Sequence, residues 1–233
     1  KHAAQHNVDV GFALDPDADR LALGDQTGLF LGEEMTLPLC VKHVLAQRKG
    51  SVVVNMSTSR MTHDVCDAAL VRFERVAVGE INVAERMREI GAVIGGEGNG
   101  GIIDSRLHYG RDGLIGIALV LEAMAYANKS VAALADEIPH YSIIKSKFDC
   151  SREHANAVLD MLRADASDAL VNTQDGLRLD WRDSWVHIRP SNTEHIMRVI
   201  AEAKTEEAAQ ALVNDYSRRV AQALAVVAGQ RVV

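Results

Sequence analysis

The sequence predicts an α/β protein in two parts: a small three-layer α/β/α domain with a mostly parallel sheet, followed by an α+β domain with an antiparallel sheet. Three observations carry that expectation. Short apolar runs such as Val52-Val53-Val54 alternate with amphipathic segments up to residue 139, as buried parallel strands joined by helices do. From residue 140 the rhythm changes to closely spaced strands flanked by two helical stripes. The 233 residues, 48% hydrophobic and 24% charged, suffice for two ordinary cores.

Each element follows from its local pattern. Residues 8–14 read as a strand that feeds Asp15-Pro16-Asp17-Ala18-Asp19-Arg20, and residues 21–31 as two short strands around a turn. Leu37, Val41, Val44 and Leu45 make the stripe of a helix over 33–47, closed by Gly50. Strands are expected at 52–56, 73–78 and 92–94, and helices from the caps Ser57-Thr58-Ser59 to Leu70, at 83–90 and at 112–127. Beyond the boundary near Pro139-His140, residues 142–148 alternate like a half-exposed strand. Ser151 is placed to cap a helix carrying Ala155, Val158, Leu159 and Leu162. Strands at 176–180, 184–189 and 196–203 precede a closing helix whose first turn holds Glu206 and Glu207, where acids suit the dipole.

Bulk properties narrow the function classes. A net charge of −7 argues against nucleic acid or an anionic membrane as the main partner, so phosphate recognition must be local. Cys40, Cys66 and Cys150 are far apart and read as buried small hydrophobes in a reducing, cytoplasmic setting. No apolar run approaches the ~18 residues of a membrane span, and no leader is visible. The chain starts at Lys1 with its first apolar strand within ten residues, so we expect a piece of something longer.

Three loops carry chemistry. In the first, Asp15, Asp17 and Asp19 alternate with spacers and can converge; three acceptor-only groups repel unless a cation neutralises them. Oxygen ligands alone suit a hard cation such as Mg²⁺, and Arg20 adds a fixed charge beside it, the makings of a phosphate site. A calcium EF-hand fails, because its Gly and Glu positions hold Arg20 and Gln26. A solvated acidic turn remains an alternative. So does the strand followed by Asp-x-Asp of haloacid-dehalogenase-type phosphatases, in which the first Asp is the nucleophile. The second loop, Gly95-Gly96-Glu97-Gly98-Asn99-Gly100-Gly101, lets backbone approach a ligand closely and offers a carboxylate and an amide to sugar hydroxyls, or is a plain flexible turn. The third, Arg189-Pro190-Ser191-Asn192-Thr193-Glu194, has a forked cation and hydroxyl donors for a phosphate, with Arg198 nearby; the alternative is a polar hairpin loop.

In this order the three loops resemble the α-D-phosphohexomutases: phosphoglucomutases, phosphomannomutases and phosphoglucosamine mutases. Val78-Gly79-Glu80-Ile81-Asn82-Val83 is similar to that family's sugar-specificity loop, and the resemblance covers essentially the whole chain. It implies a four-domain enzyme in which a phosphoserine passes its phosphoryl group to a hexose monophosphate through a bisphosphate. By the match, residues 1–31 are a remnant of the second domain with the metal loop. Residues 32–139 form the sugar domain, and 140–233 the phosphate-binding domain. Asp15, Asp17 and Asp19 would hold Mg²⁺ and Arg20 would serve the reacting end. Gly79, Glu80, Glu97 and Asn99 would read the sugar, and Arg189, Ser191, Asn192 and Thr193 would grip the other phosphate. The chain departs from the pattern at Asn99, often Ser; at Gly101, often His; and at His195, usually Pro. No segment matches the phosphoserine motif; Ser57-Thr58-Ser59-Arg60 is the nearest serine-rich loop and opens a helix.

The expectation is therefore the C-terminal part of a mutase that is inactive alone. The alternatives are a phosphosugar-binding module without turnover and an Asp-x-Asp phosphatase. The open edge of the first strand suggests self-association. The hexose preferred is not legible.

Overall fold

The structure, a computed structural model, describes residues 5–166, 168–191 and 194–229. It falls into two compact units, residues 1–140 and 141–233. The hairpin of residues 10–25, read above as the remnant of another domain, lies in the first unit.

The first unit opens with antiparallel β1 (Val10–Leu14) and β2 (Leu21–Asp25), a two-stranded sheet that Phe30 extends by a single antiparallel bridge to Gly24. A 3-10 turn (Glu33–Met35) leads into α1 (Thr36–Gln47). Then follow β3 (Val52–Asn55), α2 (Arg60–Ala69), β4 (Phe73–Val76), α3 (Glu80–Ile90), β5 (Ile94–Glu97), β6 (Gly101–Asp104), α4 (Gly113–Ala127) and the short α5 (Val131–Ala135). The sheet order is β4-β3-β5-β6, with β4, β3 and β5 parallel and β6 antiparallel. From β3 the chain winds outward to β4 and back across β3 to β5, which sends the crossovers to opposite faces. Val53 and Ile103 pack with Val83, Ala84 and Met87 of α3 on one face. On the other, Gly96 meets Leu37 of α1 and Gly116 of α4 meets Ile102. This is the expected α/β/α sandwich, and β3, all but unexposed, is the continuous apolar strand the sequence announced.

One expectation needs revision. The Gly-rich stretch is not a free loop after the third strand. Gly95, Gly96 and Glu97 complete β5, a three-residue turn follows, and Gly101 starts β6. Glycine conceals a strand because it supplies no side chain to show the period.

The second unit contains β7 (Ser142–Asp149), α6 (Arg152–Ala164), β8 (Leu170–Asn172), β9 (Leu177–Asp180), β10 (Trp185–Pro190), β11 (Ile196–Ala203) and α7 (Glu206–Val227). Its antiparallel sheet has the order β7-β11-β10-β9-β8. Leu177, Leu179, Val186, Ile188, Met197, Val199 and Ala201 form a core with Val158 and Leu162 of α6 and Val213, Tyr216 and Val220 of α7. Alternation sends Arg178, Trp185, His187, Arg189 and Glu202 to the other face. Thr205 caps α7 by accepting from the Ala208 amide at 3.2 Å, whereas Ser151 makes no side-chain cap bond.

All three cysteines are buried and free, and burial pushes the Cys40 and Cys66 thiols up to about 12. Among the described residues no helix is long and apolar enough to cross a membrane.

Candidate active site

The acidic loop forms because β1 and β2 must be joined across six residues. The Ala18 amide donates to the Asp15 carbonyl at 3.0 Å, and Ala18 takes a left-handed backbone with φ of 59°. That turn gathers the carboxylates: Asp15, Asp17 and Asp19 each offer an oxygen within 4.8 Å of the others. The Arg20 amide donates to Asp15 Oδ1 at 3.1 Å, and Arg20 Nε lies 3.2 Å from Asp15 Oδ2 and 3.5 Å from Asp19 Oδ1. Desolvation raises the Asp15 carboxyl, but the Arg20 amide and charge outweigh it and hold it below its usual value. Asp19 is held above its usual value by desolvation and by Asp17 and Asp15, against the pull of Arg111. Asp19 Oδ1 is buried without a hydrogen-bond partner. An all-carboxylate set with an unsatisfied inward oxygen fits a hard divalent cation.

Main-chain bonds fix this loop to its surroundings. Leu21 N–H donates to the Gly100 carbonyl at 3.0 Å, and Gly113 N–H, at the start of α4, donates to the Ala18 carbonyl at 2.9 Å. Thr36 Oγ1 donates to the Leu21 carbonyl at 2.7 Å. Gly100 has φ of 89°, and a Cβ there would stand 2.3 Å from the Leu21 carbonyl oxygen.

The carboxyl ends of β3, β4 and β5 meet beside the acidic loop, where ligands bind in open α/β sheets. Glu97 joins them. Its Oε1 accepts from Asn55 Nδ2 at 2.6 Å and from the Gly79 amide at 3.1 Å, and its Oε2 from Arg111. With 4% of its surface exposed, Glu97 offers a ligand only its remaining lone pairs. Glu80, at the start of α3, is more open; its Oε1 accepts from the Arg111 amide at 2.8 Å. Asn99 in the hairpin turn accepts from the Gly101 amide at 3.3 Å. The serine-rich loop has structural work: Ser59 Oγ caps α2 by accepting from Met61 N at 3.1 Å, and the Ser59 amide donates to Glu34.

Arg111 joins this site without any warning from the sequence. Its guanidinium pairs with Asp19 and Glu97 and approaches Glu80. In sequence it is a lone cation in a turn, with no spacing to link it to residues 14 to 92 positions away. The one hint is its neighbour Asp112, which caps α4 through Leu114 N and Ile115 N and so fixes where Arg111 stands.

In the second unit, Arg189 lies near the end of β10, with Nε 3.2 Å from Asp175 Oδ2, and is 6% exposed. The Ser191 amide donates to the Ile196 carbonyl at 2.8 Å, and Ser191 Oγ accepts from the Glu194 amide at 3.3 Å. Arg198 lies opposite Arg189 in the β10–β11 register and pairs with Glu194. Asn192 and Thr193 lie outside the described residues.

Comparison with known proteins follows this division. Residues 33–141 match the profile of the phosphoglucomutase/phosphomannomutase alpha/beta/alpha domain III, and residues 145–218 that of the C-terminal domain. The chain is 34% identical over 205 residues to a phosphoglucomutase/phosphomannomutase of Thermococcus kodakarensis, covering 87% of this chain and 45% of that protein. It is 30% identical over 211 residues to a phosphoglucosamine mutase of Methanococcus maripaludis, covering 88% and 47%. A crystal structure of a family protein from Burkholderia thailandensis superimposes with a TM-score of 0.82 at 26% identity, covering 95% of this chain and 48% of that one. The chain thus spans about half the length of the curated relatives it matches.

Proposed function

The chain belongs to the phosphoglucomutase/phosphomannomutase family, and on that premise we propose that it is the C-terminal part of a phosphohexomutase. The complete enzyme moves a phosphoryl group between the 1- and 6-positions of a hexose phosphate through a phosphoserine and a bisphosphate. Asp15, Asp17 and Asp19 are the residues that hold Mg²⁺, which when bound offsets charge on the transferring phosphoryl. Arg20, with 48% of its side chain exposed, has room to turn from the carboxylates toward the reacting phosphate. Gly79, Glu80, Glu97 and Asn99 orient the sugar. Arg189 and Ser191, with Asn192 and Thr193, anchor the non-reacting phosphate. That remote binding energy holds the reacting end in place.

The observation that carries this reading is the convergence of three carboxylates beside Arg20, tied through Arg111 to Glu97 and so to Asn55 at the end of β3 and Gly79 after β4. No segment of this sequence matches the phosphoserine motif, so turnover should require it from elsewhere. The test adds the N-terminal half of a relative, phosphorylated on its serine, and follows glucose 1-phosphate conversion to glucose 6-phosphate with Mg²⁺. Activity that needs both pieces and disappears in Asp17→Ala supports the proposal. Inorganic phosphate released by this chain alone would instead favour a phosphatase with Asp15 as nucleophile.

A further inference from the structure

We propose that Arg111 is a positioning residue for the metal loop: it holds Asp19 so that one carboxylate oxygen stays turned toward the point shared with Asp15 and Asp17. The inference rests on the metal reading above and goes beyond the three ligands.

The geometry is that of a three-way clamp. One terminal nitrogen of Arg111 binds Asp19 Oδ2 and the other binds Glu97 Oε2, while Nε lies 3.5 Å from Glu80 Oε2. The backbone is held too, since the Arg111 amide donates to Glu80 Oε1 at 2.8 Å. Only 14% of the Arg111 side chain is exposed, so the guanidinium has one place to lie. With Oδ2 occupied by Arg111, Asp19 keeps Oδ1 buried without a hydrogen bond and only 3.5 Å from the half-exposed Arg20 Nε, the oxygen a cation would take as Arg20 turns away. The anchors on the far side are rigid: Glu97 is tied to Asn55 and to the Gly79 amide. The path of Arg111 depends on Gly101, where a Cβ would lie 2.3 Å from Arg111 Cδ.

A planar fork of fixed donors suits this task, and an ammonium cannot span the same partners. Partners of this kind orient ligands from behind, and their loss typically weakens metal affinity by about 10–100-fold. Electrostatics alone has the opposite sign. Removing a cation from beside a cation site should tighten metal binding. The two accounts therefore disagree in direction.

The experiment titrates Mn²⁺ into the 233-residue chain by calorimetry or by electron paramagnetic resonance of the free ion. Wild type is compared with Arg111→Met, Arg111→Lys and Gly101→Ala, each checked for fold by circular dichroism. We expect affinity to fall about tenfold or more in Arg111→Met and in Arg111→Lys, and to fall in the same direction in Gly101→Ala, which leaves every charge in place. Equal or tighter binding in Arg111→Met, or wild-type affinity in Arg111→Lys, overturns the proposal. If Arg111→Met does not fold, the other two variants decide. Wild-type chain that fails to bind millimolar Mn²⁺ removes the metal reading itself, and this inference with it. Wild-type binding that none of the three variants alters removes only the role of Arg111.

Discussion

Replacing Gly100 by Ala tests whether the hairpin turn is the seat on which the acidic loop rests. Gly100 has φ of 89°, and its missing Cβ would stand 2.3 Å from the Leu21 carbonyl oxygen and 3.1 Å from the Leu21 nitrogen. Those atoms cannot retreat freely. Leu21 N–H bonds to the Gly100 carbonyl, and the Leu21 carbonyl accepts from Thr36. A left-handed backbone costs an L-residue about 1–2 kcal/mol. A forced contact in a packed site costs about 1–3 kcal/mol more. Gly100→Ala should therefore destabilise the chain by about 2–5 kcal/mol. Gly91 supplies the control. Its φ is 65°, but an added Cβ would meet nothing within 4 Å, so Gly91→Ala should cost only the backbone share of about 1–2 kcal/mol. Urea denaturation followed by far-ultraviolet circular dichroism is the suitable assay, because Trp181 and Trp185 both lie in the second unit and report there. Mn²⁺ affinity should fall in Gly100→Ala and not in Gly91→Ala. If Gly100→Ala costs no more than Gly91→Ala, the close packing of turn against strand plays no part in holding the loop.

Two further predictions concern the second unit. His187 is fully buried, and burial pulls its imidazole down to about 4 despite its bond with the Asp175 carbonyl at 2.6 Å. The unfolded chain then binds the proton first. Stability should be level above pH ~6.5 and fall as pH drops from there toward 4, by up to about 3 kcal/mol. His187→Gln should lose that part of the slope in urea denaturation at several pH values, and an unchanged slope would refute the assignment. Trp185 is also fully buried and donates from Nε1 to Glu202 Oε1 at 2.6 Å, with Arg178 4.0 Å over its ring. Trp185→Phe removes a donor from a buried carboxylate and should cost about 1.5–3 kcal/mol. A loss below about 0.5 kcal/mol, the size of a surface change, would show that the bond contributes nothing net.

What the sequence disclosed follows from how local each signal is. The apolar run Val52-Val53-Val54 announced β3 because a strand buried on both faces needs no partner in sequence to be recognised. The acidic loop was readable because its three carboxylates lie at alternate positions in one short stretch, and the structure does bring them together. The end of β5 was missed since its glycines show no period, and β6, four residues with one apolar pair directly after the turn, was too short to stand out. The short β8 and α5 were missed because three and five residues are too few to show a period. Arg111 was illegible for another reason. Its role exists only after residues from the acidic loop, α3 and β5 have converged, and nothing near Arg111 records them. Glu97 was named as a sugar contact from its loop, yet its engagement by Asn55, Gly79 and Arg111 is a property of the strand ends together.

The seam between the acidic loop and the rest of its unit is written in main chain: Leu21 to Gly100 and Gly113 to Ala18. Peptide groups are common to every residue, so this joint carries almost no sequence memory. Away from the two side-chain ties that cross it, Arg111 to Asp19 and Thr36 to the Leu21 carbonyl, homologous chains can exchange side chains along it and still present the carboxylates at the same depth. The further exceptions are places where a methyl would wedge the joint open, Gly100 against the Leu21 carbonyl and Gly113 against Leu14 and the Ala18 carbonyl. A deep mutational scan should accordingly draw this seam as a few intolerant columns, the two glycines and Arg111 foremost, in a permissive field, and divergence would erase the other neighbours long before it moved the loop.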